Sequence, residues 1–335
     1  MVLAFHICQR WPVTLPAIIA FTQYGIYGVD LFFVLSGWLI GSLFWREYAQ
    51  FSHVEIGRFI GRRALRTVPP YFVALVISYV GVLLARGEAF DVGYLVFLQN
   101  YYERIPFFLI SWSLCIEEHF YLVMPILALS LARAPGRSHI FFLLLAVIPA
   151  VCRFLICHPS ETHPFGYYYT ATHLRYEGLL LGVWASFLHV RRPQEWVVFR
   201  RFASIAILPA LSVVIVTAML PDSLRYPLFY TAVAVFFLLL LVTVVDRQPL
   251  CFSDTKVVFW IASTSYSVYL THAFTLDASL RLLARLPEVP VIQVLVVVAC
   301  VAIAGYSFYR IVEVPSLAIR HRLMPGRTSE RSRAA

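Results

Sequence analysis

The sequence predicts an all-α, polytopic integral membrane protein, a helical bundle of about ten transmembrane helices. Of its 335 residues, 60% are hydrophobic and 13% are charged, and the mean hydropathy is +0.77. A typical soluble domain carries about 25% charged residues, so this composition excludes that class. Apolar stretches close to the roughly 20 residues that cross a bilayer as a helix recur along the whole chain.

The candidate spans include some that are short or interrupted by polar residues. They are residues 1–11, 27–45, 69–86, 110–132, 139–157, 173–190, 203–220, 227–245, 257–280 and 290–312. The first is too short for a complete span, and neither a basic segment nor a small-residue cleavage site marks it as a signal peptide. We expect the natural chain to begin further upstream. One membrane domain is predicted over 1–325, with a disordered cytoplasmic tail at 326–335.

The distribution of Lys and Arg predicts the orientation of the chain. The net charge is +9, and most of the 27 Lys and Arg residues fall in alternate loops and in the C-terminal tail. The positive-inside rule places these segments in the cytoplasm, and with them the C-terminus of this multi-pass protein. Membrane lipids are therefore the expected partners of the positive charge. Nucleic acid is excluded as a partner, since no basic-aromatic binding module is present, and no obligate protein partner is recognisable.

The cysteines predict neither a metal site nor a disulfide framework. All six are scattered through the sequence without a Cys-x-x-Cys pair, which is the spacing typical of zinc and redox sites. A cysteine in an apolar helix usually packs as a small hydrophobe. No metal cofactor is expected.

Charges inside the apolar stretches are the main functional signal. Glu117 and Glu118 are adjacent within ISWSLCIEEHFYLVMP, residues 110–125. An ionisable residue in a bilayer is costly, so it usually faces the protein interior and serves function. On a helix Glu117 shares a face with Ser113 and Tyr121, whereas Glu118 is rotated by about 100°. We expect only one of the two carboxylates to face a polar site.

Two further stretches carry buried charges. Asp30 opens a span, GVDLFFVLSGWLIGSLF, whose small residues allow close helix packing. The alternative for Asp30 is an N-cap at the membrane interface. Arg175 and Glu177, in THLRYEGLLLG, are two residues apart and do not face each other on one helix. They are expected to pair with other buried charges.

A basic cluster, RFIGRRALRTVPPY, precedes the third candidate span. Its Arg62, Arg63 and Arg66 lie shortly before Pro69–Pro70, a pair expected to occupy the first turn of the next helix. Such a cluster is either a topology anchor or a site that binds phosphates through guanidinium groups.

Six motifs, taken together, resemble those of membrane acyltransferase family 3, the integral-membrane O-acyltransferases. They occur in the family's order over nearly the whole chain: GVDLFFVLSGWLI, RRALRTVPPY, ISWSLCIEEHFYLVMP, THLRYEGLLLG, TSYSVYLTH and VEVPSLAIRHRL. The family usually has an arginine about eleven residues before its first-helix histidine, and the sequence given starts too late to include one. Glu177 stands where the family commonly has Asp.

The resemblance implies an enzyme with about ten transmembrane helices in the bacterial inner membrane. Such proteins transfer an acyl group, usually acetyl from acetyl-CoA, to a hydroxyl of a cell-envelope polysaccharide, a lipid-linked sugar or a similar glycan acceptor. By this resemblance His6 matches the family's first-helix histidine, Arg63 and Arg66 its R-x-x-R element, and Glu117 the acid of its W-S-L-x-x-E element. We expect His6 to be the general base, with Glu117 or Asp30 as its orienter. Arg62, Arg63 and Arg66 are the expected ligands of the acyl-CoA phosphates. The expected substrate-binding residues are Ser113, Tyr121, Arg175 and Glu177.

Two alternatives stay open at this point. A secondary transporter also buries His, Asp, Glu and Arg near the membrane midplane, but usually shows paired, interrupted helices from a repeated half, which this sequence lacks. A catalytically decayed member of the family is the second alternative, because the sequence starts within the first helix. Incubation of membranes with radiolabelled acetyl-CoA separates an enzyme from a transporter.

Overall fold

The structure is a computed structural model that describes residues 1–10, 24–87, 89–102, 104–133, 138–156, 167–246, 255–283 and 290–325. Over these ranges the chain is helical and contains no strand. The all-α, polytopic membrane class predicted from composition is confirmed. The tail expected at 326–335 lies outside the described residues.

Twelve α-helices, numbered in chain order, occupy the described ranges. They are α1 Val2–Arg10, α2 Gly28–Phe51, α3 Ile56–Arg86, α4 Trp112–Arg133, α5 Ser138–Ile156, α6 Tyr167–Thr170, α7 Glu177–Arg191, α8 Pro193–Ala218, α9 Asp222–Val244, α10 Lys256–Leu283, α11 Pro290–Phe308 and α12 Val314–Leu323. A π-helical turn, Tyr309–Glu313, connects the last two helices.

Seven helical segments of the described ranges are long and apolar enough to cross a membrane. They are Tyr24–Phe51, Ile56–Leu84, Leu109–Ser130, His139–Ile156, Pro193–Ala218, Asp222–Val244 and Ile292–Leu323. Their outer surfaces expose large aliphatic side chains such as Leu84 (83% exposed) and Ile205 (78%), as expected for contact with lipid. The other three predicted spans correspond to the short α1, to α7 with its 15 residues, and to α10, where Ser, Thr, Tyr and His lower the hydropathy. The exact number of spans stays a prediction.

The expected helix start at Pro69–Pro70 is wrong. Helix α3 is continuous over 31 residues, with both prolines inside it. Each proline lacks the N–H that would bond one turn back. Proline is nevertheless tolerated inside membrane helices, because neighbouring helices and Ser or Thr side chains can satisfy the backbone groups that it leaves without a partner. The Arg62–Arg66 cluster therefore lies on the same helix as the apolar segment that follows it.

The described chain divides into two compact units. Unit 1 comprises Met1–Val54, Val96–Ile105 and Ser111–Gln248, and unit 2 comprises Glu55–Leu95, Pro106–Ile110 and Pro249–Ala335. Helices α1, α2 and α4 to α9 belong to unit 1, whereas α3 and α10 to α12 belong to unit 2. The single membrane domain over 1–325 stays a prediction.

Unit 1 is organised around the contact between α2 and α7. A Cβ atom added at Gly37 would lie 1.9 Å from the carbonyl oxygen of Leu179, and one added at Gly182 would lie 2.2 Å from that of Val34. The backbones of α2 and α7 are therefore in direct contact at these two glycines, where any side chain would collide with the other helix. This confirms the close packing predicted from the small residues of α2.

In unit 2 the end of the last helix lies on the start of α3. Arg58 donates a hydrogen bond to the carbonyl oxygen of Pro325, and Arg62 donates one to that of Met324. Within the same unit, Tyr266 on α10 donates to the carbonyl oxygen of Thr67 at 2.8 Å. These contacts hold the basic cluster of α3 against two other helices.

We predict that Gly37→Ala destabilises the protein by roughly 1–3 kcal/mol, because the added methyl group overpacks the contact between α2 and α7. The measurement is the thermal midpoint of the detergent-solubilised protein, followed by size-exclusion chromatography. Gly81→Ala is the matched control, since a Cβ at Gly81 meets nothing within 4 Å and alanine is the better helix former. Equal midpoints for the two variants would contradict the backbone contact.

Candidate active site

Asp30 lies in the first turn of α2 and is buried. Tyr27, not Asp30, occupies the N-cap position, where it makes no side-chain capping hydrogen bond, so the alternative of an N-cap role for Asp30 is wrong. Instead its Oδ1 atom accepts a hydrogen bond from Nη2 of Arg175 at 2.7 Å, and both side chains are almost completely enclosed. Asp30 is thus half of an ion pair between α2 and the segment that precedes α7.

Aromatic rings enclose the other half of this pair. The guanidinium carbon of Arg175 lies 3.9 Å from the ring centroid of Tyr230, 4.5 Å from that of Tyr169 and 5.7 Å from that of Trp112. A cation over an aromatic face is stabilised by the ring quadrupole, most strongly where water is absent. The charge of Arg175 is therefore balanced by Asp30 and by three rings.

Glu177 forms a second buried ion pair, with Arg153 of α5. Nη1 of Arg153 lies 2.8 Å from Oε1 of Glu177. Nη2 of Arg153 also donates to Thr231 at 2.6 Å, and its Nε donates to the carbonyl oxygen of Pro227 at 3.2 Å. The prediction that Arg175 and Glu177 pair with other buried charges is confirmed. Arg153 was not among the predicted site residues, although an arginine within an apolar stretch was the signal that could have identified it.

Glu117 is the buried member of the acid pair on α4. It is 2% exposed, and its Oε1 atom accepts hydrogen bonds from Tyr121 at 2.6 Å and from Ser36 of α2. Ser113, one turn earlier, is also buried, whereas Glu118 is half-exposed. The helical arrangement expected for these residues is confirmed.

Side chains of a neighbouring segment complete the polar interior of unit 1. The amide nitrogen of Asn100 donates to Oγ1 of Thr172 at 2.8 Å and to the carbonyl oxygen of Thr170 at 3.0 Å. Nδ1 of His119 lies 2.7 Å from the same Oγ1 atom. The fully buried Asn100 thereby joins α6 to the turn that carries Arg175. Its isolated position between polar and aromatic residues gave no sequence signal for this role.

His6 lies on α1 and is half-buried. Its ring meets that of Phe5 edge to face at a centroid distance of 5.2 Å. His6, Glu117 and Asp30 all belong to unit 1. Since Oδ1 of Asp30 is bonded to Arg175, and its Oδ2 atom is buried without a hydrogen-bond partner among the described residues, Asp30 does not orient His6 through a hydrogen bond. The catalytic role of His6 stays a prediction.

The three predicted phosphate ligands lie in unit 2. Arg62, Arg63 and Arg66 follow one another along α3 and are close enough to Arg320 of α12 for their charges to interact. An acid near this cluster is Glu313, in the π-helical turn. It accepts a hydrogen bond from Ser267 at 2.5 Å and interacts electrostatically with Arg66. Cations therefore outnumber acids in this described cluster, and such a surface attracts anions. Arg320 and Glu313 were not among the predicted site residues, although both lie in the last family-like motif.

No metal site is found in the part of the chain that the structure describes. None of its His, Cys, Asp and Glu side chains form a group of three or more that could hold an ion. The polar interior of unit 1 is instead built from ion pairs, hydroxyls and amides.

We predict that Arg153→Met lowers the free energy of unfolding by about 3–5 kcal/mol, because Glu177 is left as a buried charge without its partner. The double variant Arg153→Met with Glu177→Met should recover much of the loss, since it removes both charges. Thermal midpoints of the solubilised proteins measure the effect, with the exposed Arg201→Met on α8 as control. A double variant no better than the single one would show that this pair is not the source of the stability.

Comparisons with known proteins agree with the architecture and motifs of the chain. The family model for the acyltransferase domain of acyltransferase family 3 matches residues 1–310. A Staphylococcus aureus (strain COL) protein with the provisional name O-acetyltransferase is 25% identical over 343 residues, which cover 94% of this chain and 54% of that protein. The protein of the same provisional name from strain MSSA476 gives the same values.

A second kind of relative covers less of the chain. The O-acetyltransferase OatA of S. aureus (strain NCTC 8325 / PS 47) is 27% identical over 182 residues, 49% of this chain and 30% of that protein. The chain spans about half the length of the first curated relatives it matches. No solved structure matches it. Since the family model extends over most of the sequence and includes the helices that carry the buried charges, the chain belongs to membrane acyltransferase family 3.

Proposed function

We propose that this protein is a membrane O-acyltransferase that transfers an acetyl group from acetyl-CoA to a hydroxyl of a cell-envelope polysaccharide, a lipid-linked sugar or a similar glycan. The observation that carries the proposal is the buried polar interior of unit 1, where Asp30, Arg175, Arg153, Glu177 and Glu117 are enclosed by apolar helices. Charges are costly in such surroundings and are usually kept for function. Membership of the acyltransferase family selects acyl transfer as that function.

His6 is proposed as the general base of the transfer. A neutral imidazole takes the proton of the acceptor hydroxyl, while the hydroxyl oxygen attacks the thioester carbonyl carbon of the donor. The carbon–sulfur bond then breaks, and the imidazolium returns its proton to the leaving CoA thiolate. Histidine suits both steps, because its ordinary pKa lies near neutral pH.

Glu117 is proposed as the carboxylate that supports this chemistry. Its support comes from position, since it is buried within the motif that resembles the family's acid-bearing element and its carboxylate is fixed by Ser36 and Tyr121. A fixed negative charge in a low-dielectric interior stabilises a nearby imidazolium. Asp30 is a weaker candidate for this role, because Arg175 already neutralises its charge.

The donor is proposed to bind at the basic cluster of unit 2. This cluster offers the guanidinium groups of Arg62, Arg63 and Arg66. A guanidinium group can bind two oxygens of one phosphate at once, and CoA carries several phosphates. The positive-inside rule supports a cytoplasmic position for this cluster, on the side of the membrane where acetyl-CoA is made. The acceptor is proposed to bind in unit 1, with Ser113, Tyr121, Arg175 and Glu177 in or beside its site.

We predict that membranes containing the protein transfer label from radiolabelled acetyl-CoA to alkali-treated envelope polysaccharide, and that His6→Ala lowers this rate by roughly 10²–10⁴-fold. The loss follows from removal of a positioned base. His53→Ala is the control, because His53 is exposed at the end of α2. If the protein is instead a secondary transporter, neither the wild type nor His6→Ala nor His53→Ala should label the polysaccharide. Activity of His6→Ala within a few-fold of the wild type would exclude His6 from the mechanism.

The acid pair provides a matched test within one helix. Glu117→Gln removes a buried charge at nearly constant volume and should reduce label transfer strongly, whereas Glu118→Gln, at a half-exposed neighbour, should have a small effect. The rate of a single turnover is measured together with the thermal midpoint, so that a loss of catalysis is distinguished from a loss of folding. Equal sensitivity at both positions, or greater sensitivity at Glu118, would contradict the assignment.

A further inference from the structure

A cavity of about 300 Å³ lies within unit 1, beside the ion pair of Asp30 and Arg175. Four tyrosines contribute to its wall, from the turn before α2, from α6 and from the first turns of α9. They are Tyr27, Tyr169, Tyr226 and Tyr230, with Ala218 and Arg225 beside them. The volume is at the lower end of the range of small-molecule sites, and it suffices for one sugar-sized ring.

The rings of this wall are held in place by one another. Tyr27 meets Phe229 edge to face at a centroid distance of 5.0 Å, and Tyr169 meets Tyr230 in the same way at 5.7 Å. Edge-to-face pairs of this kind are favourable beyond the area that they bury. The cavity is therefore formed before any ligand enters, and little side-chain freedom is lost on binding.

Charged groups stand at the cavity and behind its wall. Arg225, in the lining, pairs with Asp222 at 2.6 Å and lies over the ring of Tyr226. Behind Tyr169 and Tyr230, Nη1 of Arg175 and Oδ2 of Asp30 are buried without a hydrogen-bond partner among the described residues. One hydrogen-bond donor, on Arg175, and one acceptor, on Asp30, therefore lie next to the tyrosines of the wall, although neither residue lines the cavity itself. Buried polar atoms without partners are rare in native proteins and call for a physical reason.

We propose that this cavity binds a sugar ring of the acceptor. A sugar presents C–H groups on its faces and hydroxyls around its edge, and a tyrosine offers an apolar face and a polar hydroxyl in one rigid side chain. The aliphatic residues of this wall are Ile26 and Ala218, and most of the others are tyrosines, whose hydroxyls can bond to sugar hydroxyls but not to an aliphatic chain. The inference rests on the proposed function, because it names the acceptor site of the same transfer reaction.

Filling the cavity is the first test. Ala218→Trp places a large ring in the space at the end of α8, whereas Leu208→Trp, on the same helix at a position 71% exposed, leaves the space open. Label transfer from acetyl-CoA is measured against the concentration of alkali-treated envelope polysaccharide, and equilibrium binding of radiolabelled acetyl-CoA is measured separately. We expect Ala218→Trp to lose transfer while it retains donor binding, and Leu208→Trp to retain both.

Removal of hydroxyls is the second test and does not depend on the stability of the first variant. Tyr27→Phe and Tyr226→Phe keep the rings and remove one hydrogen-bonding group each. Each should raise the polysaccharide concentration at half-maximal rate by about two- to tenfold, as expected for one lost hydrogen bond. The half-saturating concentration of acetyl-CoA should not change. Tyr306→Phe, on α11 and outside the cavity, is the control.

The outcomes separate a sugar site from a site for an apolar chain. Loss of transfer in Ala218→Trp with unchanged behaviour of both Tyr→Phe variants would assign the cavity to an apolar chain and overturn the inference. Unchanged acceptor dependence in all three variants would overturn it as well. A wild-type protein that neither binds nor uses acetyl-CoA would instead contradict the proposed function itself, and the acceptor site with it.

Discussion

Backbone contact between α2 and α7 is the constraint on which the interior of unit 1 depends. Gly37 and Gly182 have no side chain at the point where the helices meet, so each backbone approaches the carbonyl groups of the other. This close approach brings Asp30, near the start of α2, to Arg175, just before α7. Any side chain larger than hydrogen at these glycines would separate the two helices and lengthen the ion pair. Packing of small residues thus positions charges that lie more than one helical turn away.

The ion pairs of unit 1 connect different helices rather than neighbours on one helix. Arg175 joins Asp30 of α2, and Arg153 of α5 joins Glu177 at the start of α7. A buried charge without a partner costs several kcal/mol, so each pair penalises arrangements in which its two elements separate. The pairs therefore restrict how the helices assemble, in addition to any part they take in binding. Arg175 also contacts Tyr230 and Tyr169, two rings of the cavity wall. The ion pair is thereby connected to the proposed acceptor site.

Sequence patterns were most informative where a charge interrupted an apolar stretch, and least informative about helix ends. Glu117 was separated correctly from Glu118, because side chains four residues apart share a face and adjacent ones do not. The two prolines of α3 predict a helix start that is too late, since proline often marks a helix start but is also tolerated inside a membrane helix. The sequence allows two roles for Asp30, a helix N-cap and a buried ion-pair residue. Both place an Asp near the start of a helix, so they are distinguished only when the partner is known.

The sequence by itself determined the membrane class, the helical composition, the family and the set of charges that had to be buried. These follow from hydropathy, from residue periodicity and from motifs, all of which are local properties of the chain. Only the tertiary structure decided which charges pair, that Arg153 neutralises Glu177, and that tyrosines from three separate elements line one cavity. The reason is that such contacts join residues far apart in the chain, for example 145 positions for Arg175 and Asp30. Their distance in space is set by how the helices pack and not by any spacing within one segment.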